Sequence, residues 1–334
     1  MSLAIVLAGA VLLLILLLVA GAVYERLAER ADARRFPPLG TMIDVGASRL
    51  HVIRRGPAHG PTVVIETGAG EPCALWWPIV ERVAEFASVL AYDRAGIGAS
   101  GPARGTRTPL DSANELHALL VRAQVPGPYV LVAHSYGGLI ARLLARDRRG
   151  EVGGLVLVDT FEEGVHFQPD VLRLYRRFRP MLAVLALAAR FGVTRLVAKF
   201  SGRRESKQPD EARMDAAGRS PGFFRGMSAD MRALDVYDAA MRRPGATGDL
   251  GELPLIVITH GCPFPGPFAT LEKYWGAGQE RLAGLSRNGE LVIAKNSNHM
   301  IQHDEPDVVV AAIRRVFDAA ARGAALQPGS AASA

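Results

Sequence analysis

Apolar residues run without interruption from Leu3 to Val23, then give way to a mixed, arginine-rich stretch that ends at Phe36-Pro37-Pro38-Leu39-Gly40. At 1.5 Å per residue such a run is long enough to cross a hydrocarbon core of about 30 Å. Fourteen of its residues are Leu, Ile or Val, and at about −0.45 kcal/mol each they favour insertion by about −6 kcal/mol. A transmembrane anchor over residues 1–24 and a linker over 25–40 are therefore expected. Ala20-Gly21-Ala22 also fits a small-x-small cleavage site, so a signal peptide and a secreted mature chain are the alternative. The run is longer than a signal core and has no basic residue before it, which favours a single-pass membrane protein held by an uncleaved anchor. Arginines follow the span and none precedes it, which would put the body in the cytoplasm. Arg26, Arg30, Arg34 and Arg35 also suit attraction to anionic lipid headgroups.

Beyond Gly40 the pattern changes to short apolar runs separated by turns and helical stretches. Strands are expected at Thr41 to Asp44, Leu50 to Arg54, Thr62 to Glu66, Ser88 to Asp93, Tyr129 to Ala133, Gly154 to Asp159, Leu255 to Thr259 and Leu291 to Ala294. The last four are apolar on both faces, as in a parallel sheet covered by helices on each side. The first two read as a hairpin turning at Gly46-Ala47-Ser48, so the expected fold is α/β with a mixed, mostly parallel eight-stranded sheet. Between Asp159 and Leu255 strand patterning disappears and helical runs such as Pro180 to Phe200 take over. The core is thus expected over 41–160 and 253–322, interrupted by a helical cap over 161–252. The closing helix starts at Glu305-Pro306, and the Ala, Gly, Pro and Ser-rich residues 323–334 read as a disordered tail.

A chain of 334 residues that is 49% hydrophobic can bury a large core. Its net charge of +6 comes mostly from scattered arginines without a basic, aromatic-interleaved stripe, so nucleic acid is not an expected partner. Cys73 and Cys262 form neither a disulfide framework nor a metal-binding pair and are expected as separate buried thiols, with a single bridge between them as the alternative. No cofactor or metal motif is evident.

The strongest chemical signal is Tyr129-Val130-Leu131-Val132-Ala133-His134-Ser135-Tyr136-Gly137-Gly138, a buried strand running through a tight turn into an apolar-periodic helix. Gly137 and Gly138 leave room for neighbouring backbone at a strained turn bearing Ser135. Val64 to Gly70, Tyr92 to Ser100 and Asn298 to Pro306 follow the third strand, the fourth strand and the last strand in turn. From Thr41 to Arg322 the sequence resembles the α/β-hydrolase superfamily, and within it the esterase-like and prolyl-peptidase-like branch. It departs from the G-x-S-x-G pattern in having Ala133 for the first glycine, and Thr67 stands where many relatives carry histidine.

The resemblance implies that Ser135 is the nucleophile and His299 its general base, since a serine hydroxyl needs an imidazole to take its proton as it attacks. His134, His166, His260 and His303 are the rival histidines. The oxyanion hole would use the backbone amides of Tyr136 and Ala69, with Gly70 the alternative second donor. The residues after the seventh strand, His260-Gly261-Cys262-Pro263-Phe264, carry no carboxylate. Asp159, at the end of the sixth strand, is therefore the expected acid, with Glu272 as the substitute and Glu162 or Glu163 as further possibilities. A serine at position 135 argues against the haloalkane dehalogenase and epoxide hydrolase branches, where the resemblance would require aspartate. Cleavage of a carboxylic ester or related acyl bond in a small, hydrophobic acyl substrate is the expected activity. Acyl transfer, peptide hydrolysis and non-catalytic binding are the alternatives.

Overall fold

The computed structural model describes residues 2–201, 208–234 and 248–327. Eight strands, β1 (Thr41–Asp44), β2 (Arg49–Arg55), β3 (Thr62–Glu66), β4 (Ser88–Tyr92), β5 (Tyr129–His134), β6 (Val152–Val158), β7 (Leu255–His260) and β8 (Gly289–Ala294), form one sheet in the order β1-β2-β4-β3-β5-β6-β7-β8. The β1–β2 hairpin is antiparallel to the rest, and β3 to β8 pair in parallel. Every residue of β3, β5 and β7 is buried, which explains why these strands read as continuous apolar runs and do not alternate.

Strand residues alternate between two apolar layers. Val64, Leu90 and Leu131 face one side, where α3 (Pro109–Arg122), α4 (Gly137–Asp147) and α10 (Glu272–Ala283) cover the sheet. Val63, Ile65, Val130 and Val132 face the other, against α2 (Trp77–Ala84) and α12 (Pro306–Arg322). Local chemistry sets the helix ends. Thr108 and Asp111 form a reciprocal capping box at the start of α3, and Pro306 opens α12, which ends at left-handed Gly323.

Between β6 and β7 the described chain is helical: α5 (Glu163–His166), α6 (Pro169–Ala189), α7 (Val193–Phe200), α8 (Pro209–Arg219) and α9 (Pro221–Ala233). α6 and α9 pack together above the carboxyl ends of the strands, and α7 turns away from α6 by 91°. The short α11 (Ile301–Asp304) precedes α12. Of the tail expected at 323–334, residues 323–327 are irregular and 328–334 lie outside the described residues, as do 202–207 and 235–247 of the expected cap.

The apolar N-terminal run lies within one helix, α1 (Leu3–Arg35), which continues through most of the expected linker. Its apolar half is exposed, whereas its polar half docks on the cap, with Glu25 buried against the Arg195 guanidinium at 2.9 Å and Asp32 at 2.7 Å from the same group.

The turn between β5 and α4 packs tightly against neighbouring backbone at the sheet's carboxyl edge. A methyl group added at Gly137 would sit 2.6 Å from the carbonyl oxygens of both Glu66 and Thr67. Within a helix alanine is ordinarily preferred to glycine by about 1 kcal/mol, but here the clash is with backbone of a neighbouring loop. Gly137→Ala should lower stability by about 1–3 kcal/mol in urea unfolding, whereas Gly150→Ala, at a site with no neighbour within 4 Å, should not.

Candidate active site

Ser135 sits between β5 and α4 with φ +50°, a left-handed conformation that turns its side chain out of the sheet edge. Its Oγ–H donates to His299 Nε2 at 3.0 Å, and His299 Nδ1–H donates to Asp159 Oδ2 at 2.7 Å. The structure thus brings together Ser135, His299 and Asp159 from three segments 24 to 164 residues apart in sequence. Asp159, at φ +45° just beyond β6, is fully buried and accepts four further bonds, the longest from the Thr259 hydroxyl at 3.4 Å. Trp275 Nε1–H donates at 2.8 Å, the His260 backbone N–H at 3.2 Å and His260 Nδ1–H at 2.7 Å. Burial pushes its carboxyl up, but the bonds from His260 and His299 and their charge outweigh it, holding the group well below the ordinary carboxylate range.

Glu272 does not reach His299. It lies beyond His260, whose Nε2 is 3.1 Å from Glu272 Oε1, the oxygen that also accepts the Phe264 backbone N–H at 2.7 Å. Glu162 and Glu163 pair with Arg281 and Arg142 instead. His260 therefore faces a carboxylate from each ring nitrogen, an arrangement that favours the protonated imidazole. Burial pushes its pKa down, but the Asp159 and Glu272 carboxylates reverse this and raise it. For His299 burial wins: it lowers the imidazole below its ordinary value despite the Asp159 bond, aided by the positive charges of His134 and His260. A neutral imidazole facing a hydroxyl is poised to accept its proton.

His134, inside the turn, is engaged away from Ser135. Its Nδ1 is 3.0 Å from Glu71 Oε2 and its Nε2 donates to the His299 backbone carbonyl at 3.0 Å, so it fixes the segment carrying His299. Burial raises the Glu71 carboxyl, but the His134 charge outweighs it and brings the pKa down to about 2. His166 stacks on Tyr175 at a ring separation of 4.9 Å, and His303 reaches the Leu75 carbonyl at 3.1 Å.

The loop after β3 is set by Arg94, which is buried and donates to the carbonyls of Thr67 and Gly68 at 2.7 and 2.6 Å and to Asp230 of α9 at 2.7 Å. Glu66, paired with Arg94 and Tyr92, completes the network. In a trans peptide the N–H points opposite the carbonyl, so the Gly68 carbonyl's turn toward Arg94 sends the Ala69 N–H the other way. Among the described residues neither the Ala69 nor the Tyr136 amide has a hydrogen-bond acceptor. The N–H of Gly70, the alternative donor, is engaged by Asp230 Oδ2 at 2.8 Å, where α9 closes over the loop.

Ser135, His299 and Ala69 open on a cavity of about 260 Å³. Phe161, Tyr175, Phe178, Phe264, Phe268 and Trp275 supply most of its aromatic wall, with Met227 and Met231 from α9. Sequence reading missed His260 as a partner of Asp159, and Trp275 and Asp230 altogether. A histidine at a strand's carboxyl end was the available signal for the first; the others arrive from distant helices and had none.

Among the described residues one cluster has metal-ligand chemistry, His51, Cys73 and Asp93. Its carboxylate is already occupied by the Cys73 and Ala99 N–H groups and by His51 Nδ1. Burial and the Asp93 charge push the Cys73 thiol well up, and with its carboxylate already engaged the cluster ties the loops together. Cys73 and Cys262 are unbridged.

The chain is 30% identical to the Bacillus subtilis protein YqjL over 83% of this chain and 91% of the other. It is 36% identical to the lipase LipV of Mycobacterium tuberculosis over 33% and 41% of the two chains. Its fold superposes on the enol-lactonase of Burkholderia xenovorans LB400 with a TM-score of 0.60 at 17% identity, covering 83% and 100%. Residues 58–312 match the model of the alpha/beta hydrolase family. Taken with the sheet order and the sharp turn at Ser135, this means that the chain belongs to the alpha/beta hydrolase family.

Proposed function

We propose that the protein is a membrane-anchored serine esterase that cleaves a carboxylic ester, or a closely related acyl bond, of a hydrophobic substrate through an acyl-enzyme on Ser135. The observation that carries this reading is the continuous hydrogen-bonded line from Ser135 through His299 to Asp159, opening on an apolar cavity. A lipase and an enol-lactonase among the similar proteins act, by their names, on acyl–oxygen bonds, which supports the same bond class.

In this mechanism the Ser135 hydroxyl attacks the substrate carbonyl carbon while His299 Nε2 takes its proton. The negative charge that gathers on the carbonyl oxygen is met by the N–H groups of Ala69 and Tyr136, preorganised so that no reorientation is needed as the charge develops. The imidazolium, held in its tautomer by Asp159, returns the proton to the departing alkoxide. Water then enters, gives a proton to His299, and attacks the acyl-enzyme, freeing the acid and restoring Ser135. The wall of aromatic and methionine side chains accepts the acyl chain and excludes bulk water from the charged intermediate. The exposed apolar half of α1 supports attachment to a bilayer.

Ser135→Ala should reduce hydrolysis of a short p-nitrophenyl ester by on the order of a million-fold and abolish labelling by a fluorophosphonate. More than a tenth of wild-type turnover in that variant would remove Ser135 from the mechanism. Asp159→Asn should lower kcat by roughly a thousand- to ten-thousand-fold with KM little changed. Glu272→Gln, one residue further from the base, should cost far less; exchange of the two behaviours would make Glu272 the acid.

The pH profile tests the electrostatics. His299 is lowered from its ordinary value, so its neutral form is complete above that pKa and is lost as pH falls through it. The acid limb of kcat/KM should accordingly have its midpoint below the ordinary histidine value of about 6.5. His260→Asn removes a positive charge that depresses His299, and the limb should move to higher pH. An unmoved limb would exclude His260 from the site's electrostatics.

A further inference from the structure

The cap carries an apolar surface that the catalytic reading does not use. Along α7, Val193, Leu196, Val197 and Phe200 recur at three- and four-residue spacing and so share one face. All four are exposed, Phe200 to 82% and Val197 to 62%. On the second half of α6, Met181, Val184 and Leu187 are exposed as well, Val184 to 63%. Seven large apolar side chains on two successive helices exceed the scattered exposure ordinary for a soluble surface.

What covers them is indicated by α1. The helix crosses the corner between α6 and α7 with its backbone almost in contact: a methyl group at Gly21 would lie 2.6 Å from the Phe191 carbonyl oxygen, and one at Gly192 would lie 2.5 Å from the Tyr24 ring. Two residues at the corner thus need to be glycine, Gly192 also having φ +73°. One turn further along α1, buried Glu25 pairs with Arg195 of α7, so the crossing is locked by an ion pair as well as by fit. From this crossing toward the N-terminus, α1 is exposed and apolar. The point where α1 leaves the body therefore lies at the α6–α7 corner, beside the two helices that carry the exposed apolar side chains. Exposed Arg190 and Lys199 flank the stripe, as suits phosphate headgroups at a bilayer surface.

We infer that the α6–α7 face of the cap is a lipid-contact surface, seated in the interface of the same bilayer that α1 spans. This rests on the anchor reading proposed above. A consequence follows for the substrate. Tyr175 and Phe178 on the first half of α6 line the cavity, and Leu187 lies nine residues further on, about 14 Å along the axis. One helix then joins the cavity wall to the lipid surface, and the substrate class it fits is an acyl ester dissolved in the bilayer.

The test uses the full chain in phosphatidylcholine vesicles containing brominated acyl chains, which quench tryptophan fluorescence on contact. Val197→Trp and Phe200→Trp report on the face, and Val121→Trp, exposed on α3, reports on a surface away from the cap. Native Trp76, Trp77 and Trp275 are buried and give a constant background. The added tryptophans at 197 and 200 should be quenched severalfold more than the one at 121. Equal quenching at the three sites, in protein that resists carbonate extraction, would overturn the lipid contact and leave the anchor standing. Protein released by carbonate would overturn the anchor and this inference with it. In a second arm, Val197→Asp combined with Phe200→Asp should lower turnover of a vesicle-borne long-chain ester about tenfold while leaving a soluble short-chain ester unaffected. Unchanged turnover of both substrates would also overturn the proposal.

Discussion

A carboxylate buried without water must have its lone pairs met by donors, and the carboxyl edge of this fold is arranged around that requirement at Asp159. Left unpaired, such a group is costly enough that breaking a buried charged contact typically loses about 3–5 kcal/mol. Here the donors come from β7, from Trp275 of α10 and from His299 on the loop before α11. These are segments 101, 116 and 140 residues away in sequence. Meeting the needs of one anion therefore sets the relative positions of three elements, and the imidazole beside Ser135 is fixed as part of the same arrangement.

The same carboxylate separates two histidines by charge. His260 is bracketed by Asp159 and Glu272 and is raised; His299 has Asp159 on one side and a hydroxyl on the other, and burial lowers it. Two imidazoles on one acid are thus shifted in opposite directions, because burial prevails at His299 and a second carboxylate prevails at His260. The one shifted down is the one that faces the cavity, and a lowered pKa favours the neutral imidazole.

Arg94 performs a parallel task on the other side of Ser135. Its guanidinium gathers the carbonyls of the loop after β3 and the carboxylates of Glu66 and Asp230, so that loop geometry and cap closure share one buried cation. The cap in turn is gripped by α1 through Arg195. The loop after β3, the cap and the N-terminal helix are thereby connected through charged contacts that are mostly shielded from water, where they are screened least.

Periodicity alone determined much of the architecture. Strands such as β3, β5 and β7 are buried on both faces, and burial keeps their middles apolar, so each run announces itself. Ser135 was legible for a related reason: a strand, a sharp turn and two glycines must be adjacent in sequence to make that turn at all. The N-terminal apolar run was equally plain, although its helix extends to Arg35 because Glu25, Glu29 and the arginines form good helix once the polar half has a surface to dock against. What sequence could not decide was pairing at a distance. Asp159 and Glu272 were both available as partners of His299, and only the packing of α10 against β7 assigns Glu272 to His260. Gly70 and Ala69 were both candidates as donors, and only the closure of α9 brings Asp230 onto the Gly70 amide. Local order along the chain follows from near-neighbour sterics and burial pattern, whereas the identity of a polar partner depends on which distant elements the core brings within hydrogen-bond reach.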